Sequence, residues 1–402
     1  MKRFKYFLRT FCAGIFLFLT FFPSLSAQAE NTPSSSAEDS LLVSLITCGP
    51  GSEAYSIYGH TAIRLKNLNT GEDIAVNYGT FDMSKSHFVL RFILGLTDYT
   101  MSIQPFDEFC AIYAYEGRWV KEQRLNLTPD EKLRIAQALA ENYRPENRVY
   151  RYNIFYDNCT TRARDMIVEN MDRPVQYREP NGENLSFRQL IHSYTDDHPW
   201  TEFGNDLLLG LKADKPTTAA ERQFLPIYLM NDINEAVVAD SGRTARLLVD
   251  SMYHIVQVQP NSAQKSLFTP LFCIFALLAV VIALTMVEKF LVKRWFWWFD
   301  ALLLLVLGLC GLILTAMIFS EHPTVSLNLQ ILLLNPLALV GCYAALRKNR
   351  THWFWNFYLW CIFFLFIGQL AHFFLGYYQH YAVGLTLLAL ILLIRIQYLI
   401  KK

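Results

Sequence analysis

The chain has 402 residues, 53% of them hydrophobic, and its 36 basic and 35 acidic side chains leave a formal net charge of +1. So even a balance gives no basic footprint for nucleic acid. An apolar fraction this large exceeds that of an ordinary soluble domain, and its concentration near the two ends divides the chain into a leader, a middle domain and a membrane domain.

Residues 1–29 read as a secretory signal, the rival reading being an uncleaved anchor; either exports the domain that follows. Lys2, Arg3, Lys5 and Arg9 form the charged head, Phe11 to Phe22 the apolar core, and Ala27-Gln28-Ala29 a small-x-small cleavage site. Asn31 to Ser40 is polar and rich in Ser and Pro, as a flexible lead-in is. Leu41 to Cys48 is an apolar strand or helix that enters the turn Gly49-Pro50-Gly51, and Ser52 to Tyr58 is a short helix or a loop. Thr61 to Leu65 and Asp73 to Tyr78 read as two strands joined at Asn69-Thr70-Gly71, which would set His60 and Asn77 side by side near one sheet edge. Phe88 to Leu94 is apolar, and Thr97 to Pro105 is a strand expected to pair with the segment next in the chain. Asp107 to Tyr115 is a helix that brings Cys110 inward. Thr128, Pro129 and Glu131 have the N-cap, N1 and N3 chemistry of a helix that runs to about Tyr143 and stops before Pro145.

Arg151 to Met166 reads RYNIFYDNCTTRARDM. The aromatic run Tyr152 to Tyr156 is β-prone, and the segment from Cys159 onward favours a helix. Cys159 then stands on a first helical turn, where unpaired N–H groups and the helix dipole favour a thiolate and an oxyanion. Cys plus His is a nucleophile with its base, and Asn77 is a third member that orients the imidazole. Asn158, Thr160 and Tyr58 are candidates for oxyanion binding or support. A lone Cys is otherwise most often a small buried hydrophobe, and Asn77 an ordinary strand residue. Arg162 and Arg164 attract phosphate or make a solvated helix face.

Beyond this point Phe187 to Ser193 is helical. Trp200 to Gly210 is short and apolar, a helix starts near Pro226, and Arg246 to Val258 is a final set of self-pairing strand segments before a linker at Pro260. Five apolar segments then follow, near Leu267 to Val287, Phe299 to Phe319, Leu329 to Leu346, Trp353 to Leu375 and Tyr381 to Ile400, each about long enough to cross a bilayer. Lys289, Lys293 and Arg294, then Arg347, Lys348 and Arg350, then Arg395, Lys401 and Lys402 mark three cytoplasmic ends. The middle domain and the loop with Glu321 and His322 then face outward. Glu321, His322, Asn328 and Asn335 are candidates for holding a substrate headgroup or amine, or for capping membrane helices. Eight cysteines are present, and only Cys48, Cys110 and Cys159 lie in the exported domain, so at least one is unpaired there; a Cys48–Cys110 bridge is one arrangement. No CxxC pair or zinc-like His spacing occurs, and no metal is expected.

Gly49-Pro50-Gly51, Tyr58-Gly59-His60-Thr61-Ala62, Asn77-Tyr78-Gly79-Thr80-Phe81-Asp82 and Tyr152-Asn153 with Asp157-Asn158-Cys159-Thr160-Thr161 resemble the periplasmic domain of the Bacteroidota lipoprotein N-acyltransferase family. The resemblance continues over the five membrane segments and Glu321-His322-Pro323. More distantly, the His-before-Cys order is similar to the circularly permuted NlpC/P60-like papain fold, whose acyltransferases often have a second histidine where Asn77 stands. The resemblance implies an α+β permuted papain-like (NlpC/P60-type) exported domain over residues 30–262, followed by an all-α five-helix transmembrane domain over 263–402. It implies a thiol-dependent acyltransferase of the inner membrane with 30–262 in the periplasm. Its partners would be a phospholipid acyl donor and a diacylated lipoprotein acceptor, with no cofactor and no nucleic acid. Two rival readings are a membrane-anchored cysteine hydrolase, either phospholipase or cell-wall amidase, and a non-catalytic lipoprotein-binding or scaffold protein.

Overall fold

The computed structural model describes residues 40–53, 55–82, 84, 86–178, 185–239, 245–258, 267–349, 352–375 and 378–400. The leader expected over 1–29 and the charges Arg350, Lys401 and Lys402 lie outside the described residues. Three strands, β1 (Leu41–Cys48), β2 (His60–Asn67) and β3 (Asp73–Thr80), send alternate side chains to opposite faces, as a two-residue period requires. Val43, Leu45, Ile63, Val76 and Tyr78 enter one core, and Ile46, Cys48, Ala62 and Ala75 enter another. β4 (Asp98–Pro105), β5 (Val120–Leu125) and β6 (Val149–Arg151) extend the sheet. β7 (Val175–Gln176), β8 (Val237–Val238) and β9 (Arg246–Leu247) form a small separate sheet, and β10 (Val249–Val256) closes the large one in the order β10-β5-β1-β2-β3-β4-β6.

Three expectations change here. The strand at Asp98–Pro105 pairs with β3 and β6, and β10 pairs with β5 rather than with its own neighbours. The aromatic run expected as a strand is a turn. Asn153 Oδ1 accepts from the N–H groups of Phe155 (3.1 Å) and Tyr156 (3.3 Å), and backbone bonds between Asn153 and Asp157 close the loop. Such side-chain-to-backbone bonding competes with a strand ladder.

Helices cover both faces. α1 (Phe88–Ile93) follows β3, and α2 (Phe106–Tyr115) lays Phe106, Phe109 and Tyr113 on the Ala62–Ala75 face. α3 (Pro129–Asn142) starts from a capping box of Thr128 and Glu131, with Pro129 at its first position. It packs Ile135 and Leu139 on the other face beside Ala163 and Ile167 of α4 (Cys159–Val168). α5 (Phe187–His192) and the end of α6 (Pro199–Leu208) pack into the core shared with the membrane helices, α7 (Ala219–Arg222) lies against α4 through Arg164 and Ala220 O, and α8 (Pro226–Glu235) returns Leu229 and Ile233 to the sheet.

Then come α9 (Pro270–Met286, extended by a π turn Val287–Leu291), α10 (Trp297–Ile318), α11 (Ala338–Leu346), α12 (His352–Leu375) and α13 (Val383–Ile400). Among the described residues, Pro270–Leu291, Trp297–Ile318 and Val383–Ile400 are long and apolar enough to cross a membrane. α12 runs 24 residues, with its apolar stretch at Trp353–Gly368. The third expected segment is not one helix. A 3-10 turn at Leu329–Leu332 and α11 are separated near Pro336, which has no N–H to continue a helix. Arg395, expected as a cytoplasmic end charge, is instead fully buried between Glu288 (2.5 Å) and Asp300 (2.7 Å).

The exported helices and the membrane helices share one apolar core. Phe155, Phe187, Leu209 and Phe224 belong to the same cluster as Leu304, Leu333 and Tyr358. At Gly210 two backbones meet: Gly210 N–H donates to Thr324 O and Leu211 N–H to Leu327 O, both at 2.8 Å. A Cβ at Gly210 would stand 2.2 Å from Leu327 O, so this approach needs glycine.

Candidate active site

Asn158 shapes the head of α4. Its Oδ1 accepts from the N–H groups of Thr160 (2.8 Å) and Thr161 (3.0 Å), and the Thr161 hydroxyl accepts from the Asn158 N–H (2.9 Å). Its amide donates to Ile154 O (2.8 Å) and Phe224 O (2.9 Å). Both amide protons are therefore committed, and Asn158 is a cap and a clamp with no donor left for an oxyanion. Cys159 takes the first helical position, where its own N–H has no intrahelical acceptor.

The thiol meets His60 where β2 begins. Thr61 and Thr160 join strand to helix through their hydroxyls (3.2 Å), which fixes the height of α4 over the sheet. Gly79 lies beside Cys159 at φ 92°, a conformation that other residues rarely adopt. A Cβ there would stand 3.7 Å from Cys159 Cβ. Ala62 pairs with Asn77 in the β2–β3 register, so His60 and Asn77 are diagonal neighbours on one face. His60 Nε2 and Asn77 Oδ1 are 3.1 Å apart. With Oδ1 accepting from Nε2–H, Nδ1 is the nitrogen that serves the sulfur.

Electrostatics separate this thiol from its neighbours. Burial pushes Cys159 up, but the charge and hydrogen bond of His60, the Thr61 backbone N–H and the Thr160 hydroxyl outweigh it and bring the thiol down to about 7. For His60, burial works against the imidazolium, yet Cys159 and the Asn77 bond carry the group above its ordinary 6.5. Arg118 opposes that rise. Cys48 and Cys110 are both free thiols, not a disulfide. Burial drives Cys48 far up and Cys110 up to about 11.

The other expected residues have structural partners. Thr160 is fully buried, 3.8 Å from the Cys159 sulfur. The Tyr58 hydroxyl accepts from Asn205 (2.8 Å), and its ring meets Tyr194 edge-on; burial lifts the phenol to about 12. Arg162 grips Asp157 through two bonds (2.6 and 2.8 Å) and lies 3.7 Å over the Tyr150 ring, and Arg164 pairs with Asp165 (2.7 Å). Glu321 is bonded to Arg151 (2.9 Å), and His322 meets the Phe92 ring. Asn328 spans Leu207 O, Leu208 O and Gln379, and Asn335 turns the chain at Leu337. Glu321 and Asn328 thus tie the loop between two membrane helices to the domain that precedes them. A cleft of about 640 Å³ opens between Gly51, Ile57, Tyr194 and Tyr228, one residue along the chain from Tyr58; Cys159 is not among its lining residues.

His192, Glu202 and Asp206 bring ligand atoms within 4.8 Å of one another. Two helices supply them, so sequence spacing does not reveal the group. Asp206 already accepts from Arg188 and His192, both at 2.9 Å, and Glu202 from Thr195 (3.1 Å). With a buried guanidinium among them, these groups form an ion-pair network rather than an open cation site. Sequence reading missed Thr61, Gly79, Tyr113 and Arg118 around the pair. The alternation of β2 pointed to Thr61, because the residue after His60 must face α4.

Among the described residues, a seven-stranded sheet with helices on both faces is continuous in its core with a bundle of apolar helices, the build of a membrane protein with a domain outside the bilayer. Residues 28–193 match the Lnb N-terminal periplasmic domain and residues 262–402 match the Lnb transmembrane domain; the chain belongs to the Lnb family. Those two domains together mark a lipoprotein-modifying membrane protein. No curated protein and no solved structure matches the chain.

Proposed function

We propose that this protein is a lipoprotein N-acyltransferase of the inner membrane, with residues 30–262 in the periplasm as a permuted papain-like thiol domain. Support for the fold comes from chain order: a strand headed by His60, a neighbouring strand with Asn77, then a helix headed by Cys159. The observation that carries the chemistry is the Cys159–His60 pair, with the thiol brought down to about 7 in a domain that shares its core with membrane helices. The Cys159 thiolate attacks a phospholipid ester carbonyl, the C–O bond breaks, and His60 gives its proton to the leaving lysophospholipid oxygen. An acyl thioester remains. The α-amine of a diacylglyceryl-cysteine lipoprotein then attacks it, His60 accepts the amine proton, and the thiolate leaves as the amide forms. The Cys159 N–H, at the dipole-positive end of α4, is placed to hold the oxyanion.

Mass spectrometry of lipoprotein N-termini from cells with the native chain or with Cys159→Ala tests this. Triacylated termini should give way to diacylated ones in the variant; unchanged triacylation, with the native gene absent, would sink the proposal. The same thiol pair also suits a hydrolase. An acyl-thioester on Cys159 that persists in water but is discharged by a lipopeptide amine decides for the transferase.

A further inference from the structure

We propose that Tyr113 and Arg118 are positioning residues for His60, with Tyr113 the plate on which the imidazole lies and Arg118 the charge held against that plate. The inference rests on the reading of Cys159 and His60 as the reacting pair. The rings of His60 and Tyr113 stack at 13°, with centroids 6.4 Å apart. The Arg118 guanidinium lies 4.5 Å from the centre of the Tyr113 ring.

Both residues are fastened more firmly than packing alone requires. Tyr113 is wedged against Phe109 at 4.7 Å, and its hydroxyl is bonded to the buried sulfur of Cys48, the residue paired with His60 across β1 and β2. Arg118 N–H donates to Tyr113 O (2.8 Å), and Arg118 Nε donates to Gly49 O (2.8 Å). Nη1 pairs with Glu116 at 2.8 Å, whereas the buried Nη2 has no hydrogen-bond partner among the described residues. The guanidinium charge is thus only partly neutralised, and it acts on His60.

Among the described residues the imidazole has Cys159 on α4, Asn77 on β3, Cys48 on β1 and Tyr113 on α2 as neighbours, with the charge of Arg118, on the turn before β5, acting from beyond Tyr113. Asn77 fixes one edge of the ring and Cys159 takes the other, so the face is the remaining freedom, and Tyr113 removes it. Arg118 disfavours an imidazolium that Cys159 alone would hold too tightly. A proton held too tightly is not given up to a leaving group, so this opposing charge keeps His60 able to act in both directions.

The test is the pH profile of Cys159 alkylation by iodoacetamide, in the full chain in detergent, followed by peptide mass spectrometry so that Cys48 and Cys110 do not contribute. The native profile should have a lower inflection near 7, where thiolate forms, and an upper one where His60 loses its proton. Arg118→Met should move the upper inflection to higher pH by about one pH unit, and Arg118→Lys should restore it. Tyr113→Leu should slow alkylation at pH 7 by about tenfold, as the thiol returns toward its ordinary range. Arg118→Lys and Arg118→Met are similar in size, so their contrast separates charge from packing even where Tyr113→Leu fails to fold. Methionine and lysine profiles that coincide with the native one would overturn the proposal and leave the Cys159–His60 reading intact. A native Cys159 that titrates as an ordinary thiol would overturn that reading, and the positioning role with it.

Discussion

Cys159 shares its domain with two other thiols, and the three differ in what surrounds the sulfur. Cys48 has a buried phenol and an apolar sheet face, and Cys110 a half-buried helix surface. Cys159 has an imidazole, a backbone N–H and a helix N-terminus. Thiolate fraction sets the rate of alkylation, so at pH 7 Cys159 should react more than tenfold faster than Cys110, with Cys48 unmodified in the folded chain. Peptide-resolved mass spectrometry after brief iodoacetamide exposure measures this; equal labelling of Cys159 and Cys110 would contradict the electrostatics. Asn77→Ala removes the bond at Nε2 and lets the ring turn. Alkylation at neutral pH should fall by about tenfold, while the melting temperature changes little, because one hydrogen bond is worth about 1 kcal/mol. Asn77→Asp should keep the imidazolium to higher pH, by the sign of the added charge.

At the scale of elements, the site depends on how α4 begins. Asn158→Ala removes the N-cap, worth about 1 kcal/mol, and leaves the carbonyls of Ile154 and Phe224 without their donor, at about another 1–3 kcal/mol. We expect a total loss of about 2–4 kcal/mol in chemical denaturation and a Cys159 that is no longer selectively alkylated. Asn158→Asp keeps the cap and loses the clamp, and should fall between the two. This helix head was legible in the sequence, since Asn158 ahead of a helix-favouring run is a local signal. The β2–β3 hairpin and the capping box of α3 were legible for the same reason. Local chemistry misled at Tyr152 to Tyr156, where aromatic propensity suggested a strand and Asn153 made a turn. It could not give the pairing of β10 with β5, because strands far apart in sequence choose partners by the whole sheet. Nor could it show that the region around Pro336 divides the third membrane segment, since hydropathy averages over a break that short. Tyr113 and Arg118 were invisible as site residues, because a helix end and a turn carry no mark of the strand they fold against.

On the scale of the whole molecule, the exported domain is not a cargo on an anchor. Residues 185–225 pack into the core of the membrane helices, and the buried Arg188 holds Asp206 (2.9 Å) and Asp214 (2.8 Å) at that seam. Arg188→Met leaves two buried carboxylates without their cation, which costs about 3–5 kcal/mol. The full chain in detergent should then melt far lower in a thermal scan than the native chain. The seam should also respond to pH in a definite sense. Burial pushes the Asp206 carboxyl up, but His192 and Arg188 outweigh that and hold it below its ordinary range, so its contribution is present above the unfolded value and lost as pH falls through the folded one. The Asp206 bond raises His192 above 6.5, so that part is complete below 6.5 and lost as pH rises through the higher folded value. Stability should therefore be greatest in the mildly acidic window between the two. Thermal unfolding followed from pH 4 to 9 should show about 1 kcal/mol or less of decline on the alkaline side, since His192 is partly exposed. His192→Gln should flatten that decline and shrink the acid-side loss without abolishing it, because Asp206 loses one of its two partners while Arg188 still holds it. An alkaline decline of the same size in the glutamine variant would show that the seam takes its pH response from another group.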